Sequence, residues 1–133
     1  MITAVDTSVL VALYRGEPDG RRWAAHLAHC RAEGPLCVCE VVAAEFFAVI
    51  LDEREYALVL RQLGIGLLPC NFAAARLAGR LFRKYRDQGG PRLHLIPDFL
   101  IAAHAQTQTN RLAAVDRGYL RRYFADLSLT SPN

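Results

Sequence analysis

The sequence has no uncharged apolar stretch that approaches the roughly 18–20 residues needed to cross a bilayer. No basic residue precedes its first apolar run, and Asp6 interrupts that run early, so we expect neither a secretory signal nor a membrane anchor. A cytoplasmic location is the resulting expectation. Linker-like segments, repeats and low-complexity stretches are also missing. With 133 residues and 53% hydrophobic content, the chain is predicted to form a single domain over residues 1–133.

Cysteine and lysine are both scarce. The four cysteines (Cys30, Cys37, Cys39 and Cys70) have no spacing typical of a zinc site, and we interpret them as small buried hydrophobic residues with no assigned role. Lys84 is the only lysine among 16 basic residues, and the others are arginines, whose guanidinium fork suits phosphate. The net charge of +3 is too small to establish a nucleic-acid partner by itself.

Short apolar runs alternate with helical patterns along the chain. We predict strands at residues 2–5, 36–39, 66–70, 112–115 and 127–129. Helices are predicted over 9–16, 21–32, 41–51, 52–64, 72–88 and 98–106, with a short one ending at 124. Ser8 is the expected cap of the first helix. This alternation predicts an α/β fold with a central parallel sheet of four to five strands and helices on both faces.

Four of the 13 acidic residues stand in apolar surroundings. Asp6 and Asp116 each close a predicted strand, Asp98 opens the helix in IPDFLIAAHA, and Glu45 lies within the apolar segment VVAAEFFAVIL. Because functional residues of parallel sheets gather beyond the carboxyl ends of the strands, we expect these carboxylates to meet at one edge. Such carboxylates repel one another unless they share a hard divalent cation such as Mg²⁺ or Mn²⁺. The pattern therefore predicts a metal site of four acids.

Each acid also has a purely structural alternative. Asp6 could cap a helix, Asp98 could interact with a helix dipole, and Asp116 could belong to a turn. Glu45 could form a buried ion pair with an arginine. The occurrence of all four in one chain favours a shared acidic site over four separate coincidences.

The segments around these acids resemble the acidic signatures of PIN-domain ribonucleases. The matching strings are VDTSVLVAL, EVVAAEF, PDFLIAAHA and AVDRGY, in that order across essentially the whole chain. The small single-domain size is similar to that of the VapC toxins of bacterial toxin–antitoxin pairs. The resemblance implies a PIN fold in which Asp6, Glu45, Asp98 and Asp116 are the catalytic acids that hold the metal.

The same resemblance implies an activity and partners. The activity is Mg²⁺- or Mn²⁺-dependent endonucleolytic cleavage of RNA, often of structured RNA. The partners are an RNA substrate, a VapB-like antitoxin and a second copy of the chain in a homodimer. The resemblance implies no membrane partner. We expect the dimer interface and the antitoxin groove at the apolar helices around 41–63.

Hydroxyl and basic residues near the acids are candidates for positioning the substrate. Thr7 and Ser8 match the hydroxyl positions that follow the first acid of the family, and Thr7 is expected to hold a carboxylate or a metal-bound water. Arg117, Arg121 and Arg122 are close in sequence to the proposed site and are candidates for contacts with substrate phosphates.

One departure from the family concerns the number of ions. Many members carry a further acid shortly after the fourth signature, whereas RGYL follows Asp116 here, which favours one tightly bound ion. His94 and His104 are assigned no catalytic role. The basic helix face at 76, 80 and 83 is either a solvated surface or a track for phosphates.

Three other functions stay open at this point. The chain could be a PIN nuclease of RNA processing that is not a toxin, or a catalytically silent PIN-like module that binds RNA or protein. It could also be another Mg²⁺-dependent phosphoryl-transfer protein, such as a flavodoxin-like receiver. Such a receiver is disfavoured because its expected acid pair and its lysine after the last strand have no counterpart in this sequence.

Overall fold

The computed structural model of the chain describes residues 1–132, in which strands and helices alternate. The strands are β1 (Thr3–Val5), β2 (Leu36–Val38), β3 (Ile65–Leu67), β4 (Arg111–Ala113) and β5 (Leu129–Thr130). The helices are α1 (Thr7–Arg15), α2 (Gly20–Glu33), α3 (Glu40–Ile50), α4 (Glu53–Leu63), α5 (Phe72–Asp87), α6 (Ile96–Gln108) and α7 (Leu120–Tyr123).

The strands form one parallel sheet in the order β3-β2-β1-β4-β5. Thr3 of β1 lies opposite Leu36 of β2, and Val5 lies opposite Ala113 of β4. Every residue of β1 and β2 is buried. Because successive residues of a strand point to opposite faces, helices cover both faces of the sheet. This confirms the predicted α/β fold with its central parallel sheet.

Aromatic packing supports the side of the core formed by α5 and α6. Phe99 of α6 is fully buried, and its ring lies 5.3 Å from the rings of Phe82 and Tyr85, centroid to centroid. Tyr119 stacks on the same ring at 5.5 Å. These contacts hold the loop that follows β4 against the first turns of α6.

The start of α1 differs from the prediction. Asp6 has extended backbone angles (φ −76°, ψ 151°) and is the residue before the helix, but its side chain makes no capping hydrogen bond. Ser8 lies inside the helix, so it is not the cap. Its hydroxyl donates instead to Oδ2 of Asp6. The hydroxyl therefore orients the carboxylate.

Two residues separate the third and fourth helices, which the sequence predicts directly one after the other. Leu51 adopts the left-handed conformation (φ 59°) and ends α3. Asp52 then starts α4 by accepting a 3.0 Å hydrogen bond from the N–H of Glu55. Helix α3 is less buried than its composition indicates, since Val42, Phe46 and Ile50 are its only buried residues. One flank of this apolar helix is therefore exposed.

Several strands are shorter or shifted relative to the prediction. β3 ends at Leu67 and β4 at Ala113, although the N–H groups of Leu68 and Ala114 still donate to the carbonyls of Val38 and Thr130 in the neighbouring strands. Asp116 therefore does not close a strand but lies three residues into the loop after β4. Among residues 1–132, no helix has the length and apolarity needed to cross a membrane.

Candidate active site

The sheet order reverses between β1 and β4, and this topological switch point is where ligands of open parallel sheets bind. Asp6 immediately follows β1, and its N–H donates a 3.1 Å hydrogen bond to the carbonyl of Ala113 at the end of β4. Asp116 lies in the loop that continues from β4. Two of the four predicted acids thus come to the same edge of the sheet at its switch point.

Asp6 and Asp98 line the same small cavity of about 30 Å³. Oδ2 of Asp98 accepts a 2.9 Å hydrogen bond from the N–H of Leu95, while Oδ2 of Asp6 accepts from Ser8. The other oxygen of each carboxylate has no hydrogen-bond donor among the described residues. Each acid is therefore oriented through one oxygen and keeps the second available for a ligand.

The third acid, Glu45, is held in a similar way. Its Oε1 accepts a 2.7 Å hydrogen bond from the hydroxyl of Thr7. The side chain is exposed, so the alternative of a buried ion pair with an arginine is wrong. The sequence suggested a buried Glu45 because the residues that flank it in α3 are apolar. In the structure the rest of the chain covers these residues only in part.

Asp116 is the acid whose oxygens are most fully engaged. Its Oδ1 accepts hydrogen bonds from the N–H groups of Gly118 at 2.9 Å and Leu120 at 3.3 Å, which shapes the turn before α7. Its Oδ2 lies 3.5 Å from Nε of Arg121. Asp116 therefore helps to form a turn in this structure, which is the structural alternative considered for it from the sequence. The positively charged Arg121 already faces its second oxygen.

The four carboxylates do not close into one coordination shell. Within the described chain, no three of them bring donor oxygens within 4.8 Å of one another. Electrostatic repulsion disfavours closer approach of like charges, and the separate hydrogen bonds to each acid hold it in place. The donors are nevertheless all oxygen atoms, the ligand type that Mg²⁺ and Mn²⁺ prefer, so the residue set fits such an ion.

Tyr119 and His94 are the site residues that the sequence did not reveal. Burial, followed by the charges of Asp98 and Asp6, raises the pKa of Tyr119, which therefore lies close to both acids and stays a neutral hydroxyl. The His94 ring stacks on Tyr119 with centroids 4.1 Å apart and lines the cavity of the acids. The one local signal was the position of His94 four residues before Asp98.

A second cavity of about 250 Å³ adjoins the first, and both are lined by His94, Arg117 and Tyr119. Arg122 also borders it, with its guanidinium carbon 5.4 Å from the centre of the Tyr123 ring. Two of the three predicted arginines therefore face this pair of cavities, and Arg121 contacts Asp116 instead. Aromatic rings beside guanidinium groups form a surface suited to bases and phosphates.

The more distant basic and histidine candidates have other surroundings. On α5, Arg76 and Arg80 are exposed, and Arg83 is paired with Asp87 at 3.2 Å. His104 is buried within α6, so it has no access to a substrate.

Comparison with known proteins identifies the family of this chain. Residues 3–125 match the PIN domain. The chain belongs to the PIN-domain family. Among curated relatives, this PIN-domain chain is similar to Ribonuclease VapC10 of Mycobacterium tuberculosis (strain H37Rv), with 34% identity over 114 residues. The match covers 84% of this chain and 80% of the relative.

Solved structures show the same PIN fold. VapBC2 from Rickettsia felis bound to a DNA fragment from its promoter has a TM-score of 0.78 and 18% identity, covering 100% of both chains. VapBC-1 from nontypeable Haemophilus influenzae has a TM-score of 0.71 and 18% identity over 98% of each chain. FitAcB from Neisseria gonorrhoeae has a TM-score of 0.67 and 23% identity, covering 97% of this chain and 96% of that one.

Proposed function

We propose that this PIN-domain chain is a metal-dependent endoribonuclease that acts as the toxin of a toxin–antitoxin pair. The observation that carries the proposal is the shared cavity of Asp6 and Asp98, each with one oxygen hydrogen-bonded and one oxygen without a donor in the described chain. The likeness to a protein named Ribonuclease VapC10 and to VapBC complexes supports it. We further propose that residues 1–133 work as a single domain.

Asp6, Asp98 and Glu45 would hold one Mg²⁺ or Mn²⁺, with Asp116 as the fourth acid. When bound, the ion would activate a water and offset the charge that develops on the phosphate and the leaving oxygen. The chain itself orients the acids. The Ser8 hydroxyl holds Asp6 and the Thr7 hydroxyl holds Glu45, so that the charge of both carboxylates is aimed before substrate arrives.

The substrate proposed is RNA, with structured RNA as the first class to test. Its phosphates would contact Arg117 and Arg122 beside the acids, since guanidinium groups recognise phosphate oxygens in a bidentate manner. Arg121, which is paired with Asp116 at 3.5 Å, would be a third candidate for contact with phosphate. These contacts position the backbone and by themselves carry no base specificity.

The proposed partners are a VapB-like antitoxin and a second copy of the chain, in the cytoplasm. Exposed apolar side chains around the junction of α3 and α4 support the proposal that a partner covers this surface. Leu51 is 74% exposed and Leu58 is 47% exposed, and α4 buries none of its residues in the single chain. An apolar surface of this kind is typical of an interaction site.

The nuclease proposal is tested by incubating the chain with structured RNA, with and without Mg²⁺ or Mn²⁺. We expect cleavage that needs the ion and that falls by at least about 100-fold in Asp6→Asn, a loss comparable to that of removing a metal's supporting groups. Asp126→Asn, at an exposed acid outside the cavity, is the matched control. Cleavage that persists in both EDTA and Asp6→Asn would contradict the proposal.

The partner proposal has its own test. A gene for a small DNA-binding protein directly upstream, whose product co-purifies with this chain and suppresses RNA cleavage, is the expected antitoxin. For the dimer, light scattering of Ala48→Glu on exposed α3 should give the mass of one chain. Ala28→Glu on the exposed face of α2 is the control and should leave the dimer intact. A parent chain that is already monomeric would refute the dimer.

A further inference from the structure

A second group of ligand-type side chains lies at the same edge of the sheet, away from the four acids. Cys39 follows β2 and precedes α3, Glu40 is the first residue of α3, and Cys70 lies three residues beyond β3. Because β2 and β3 are parallel neighbours, their carboxyl ends bring these residues together although 30 positions separate Glu40 from Cys70. One donor atom from each of the three lies within 4.8 Å of the others.

The contacts within this group are specific. The N–H of Cys70 donates to both carboxylate oxygens of Glu40, at 3.1 and 3.2 Å. The thiols of Cys39 and Cys70 are within hydrogen-bonding reach of each other, and the Cys70 thiol is also within reach of Glu40. Burial raises the pKa of both thiols, so neither is an activated nucleophile. The surroundings of this pair are therefore not those typical of a catalytic cysteine.

His104 is a buried residue near this group that does not belong to it. Its side chain is 1% exposed, and its Nε2 has no hydrogen-bond partner in residues 1–132. Burial lowers its pKa, while the carbonyl of Leu68 and the charge of Glu40 oppose that shift. Neither of its ring nitrogens lies within 4.8 Å of all three donor atoms, so His104 is not counted among the ligands.

We propose that Cys39, Cys70 and Glu40 bind one Zn²⁺, with a water molecule as the fourth ligand. Two sulfur atoms and one carboxylate oxygen make a set that suits tetrahedral Zn²⁺ rather than Mg²⁺. Binding would replace the two thiol protons, which are released to solvent. The zinc would join the start of α3 to the segment that leads into α5.

This site is separate from the proposed catalytic one. The four acids offer only oxygen donors to a hard cation, whereas this group offers two thiols to a borderline-soft one. A zinc at the start of α3 would fix the helix that carries Glu45 one and a half turns further on. We therefore assign the zinc a structural role, measurable without reference to RNA cleavage.

The test measures metal on the full chain, purified without a metal-affinity tag, stripped with a chelator and then supplied with Zn²⁺ or Co²⁺. We expect one zinc per chain by elemental analysis, and with Co²⁺ a thiolate charge-transfer band and the visible bands of tetrahedral cobalt. Zinc should also raise the melting temperature. Cys39→Ser/Cys70→Ser should lose all three signals.

Cys30→Ser/Cys37→Ser is the matched control, since it removes two buried cysteines outside the group and should keep the zinc. If the Cys39→Ser/Cys70→Ser variant does not fold, Cys39→Ser alone still decides, because losing one thiolate should reduce the cobalt charge-transfer band by half. Full zinc binding in these variants would overturn the proposal. So would a parent chain that retains no zinc, or one isolated with Cys39 and Cys70 joined in a disulfide.

Discussion

The hydroxyl of Thr7 donates a 2.7 Å hydrogen bond to Oε1 of Glu45, although the two residues are 38 positions apart in the sequence. The bond joins the first residue of α1 to the middle of α3, across the edge of the sheet where Asp6 lies. It gives an exposed glutamate a fixed direction. A hydroxyl beside the first acid thereby positions the second one.

Replacing Thr7 therefore tests whether this bond positions Glu45 for the metal. We expect Thr7→Val to lower RNA cleavage and Mn²⁺ affinity by about 10-fold or more, as for other groups that orient metal ligands. Stability should change by only about 1 kcal/mol, the usual value of one hydrogen bond. Thr7→Ser keeps the hydroxyl and should restore both values. Equal losses in the two variants would show that the bond does not matter.

At Asp98, two substitutions separate helix capping from metal binding. Asp98→Asn keeps an oxygen that can accept from the N–H of Leu95, so we expect stability within about 0.5 kcal/mol of the parent and a loss of Mn²⁺ binding. Asp98→Ala should lose both the metal and about 1 kcal/mol of stability. Urea unfolding and calorimetric Mn²⁺ titration measure the two effects. Normal Mn²⁺ binding by Asp98→Asn would remove this acid from the site.

The ion pair between Arg121 and Asp116 is predicted to compete with the metal. Its atoms are 3.5 Å apart and the arginine side chain is 78% exposed, so Arg121→Gln should change stability by less than about 0.5 kcal/mol. We expect tighter Mn²⁺ binding in Arg121→Gln, because a positive charge next to a ligand is removed. Arg83→Gln, which breaks the exposed pair with Asp87, is the control. Unchanged Mn²⁺ affinity would place Asp116 outside the coordination shell.

Acid stability should depend on Glu33 and Arg111. The guanidinium of Arg111 donates to Oε1 of Glu33 at 2.9 Å, and this hydrogen bond and its charge lower the pKa of Glu33 below its ordinary value of 4.5. A lowered pKa in the folded state stabilises the fold above pH 4.5, and this contribution is lost as the pH falls through the lowered value.

Urea unfolding at pH 6 and pH 3 measures this contribution. Glu33→Gln should lose less stability between the two pH values than the parent does, because its side chain cannot titrate. Glu53→Gln, at an exposed acid of α4, should behave as the parent. If the parent and Glu33→Gln lose the same amount, the pair does not contribute to acid stability.

Much of the fold follows from local patterns. The apolar runs that became β1 and β2 are buried on both faces, and such a composition is typical of parallel strands covered by helices on each side. The shifts at β3 and β4 have a different origin, because strand ends depend on how far the neighbouring strands extend. The exposure of Glu45 likewise depended on how much of α3 its neighbours cover, and an apolar composition does not specify that.

The sequence by itself determined the order of strands and helices and singled out the four acids that we propose as the site, because periodicity and the placement of a charge in an apolar run are local properties. Only the tertiary structure decided which groups meet. It brought His94 onto Tyr119 beside Asp98, and Cys70 onto Glu40, through contacts between segments distant in the chain. Such meetings depend on strand order and helix packing, which are set by burial of the whole core.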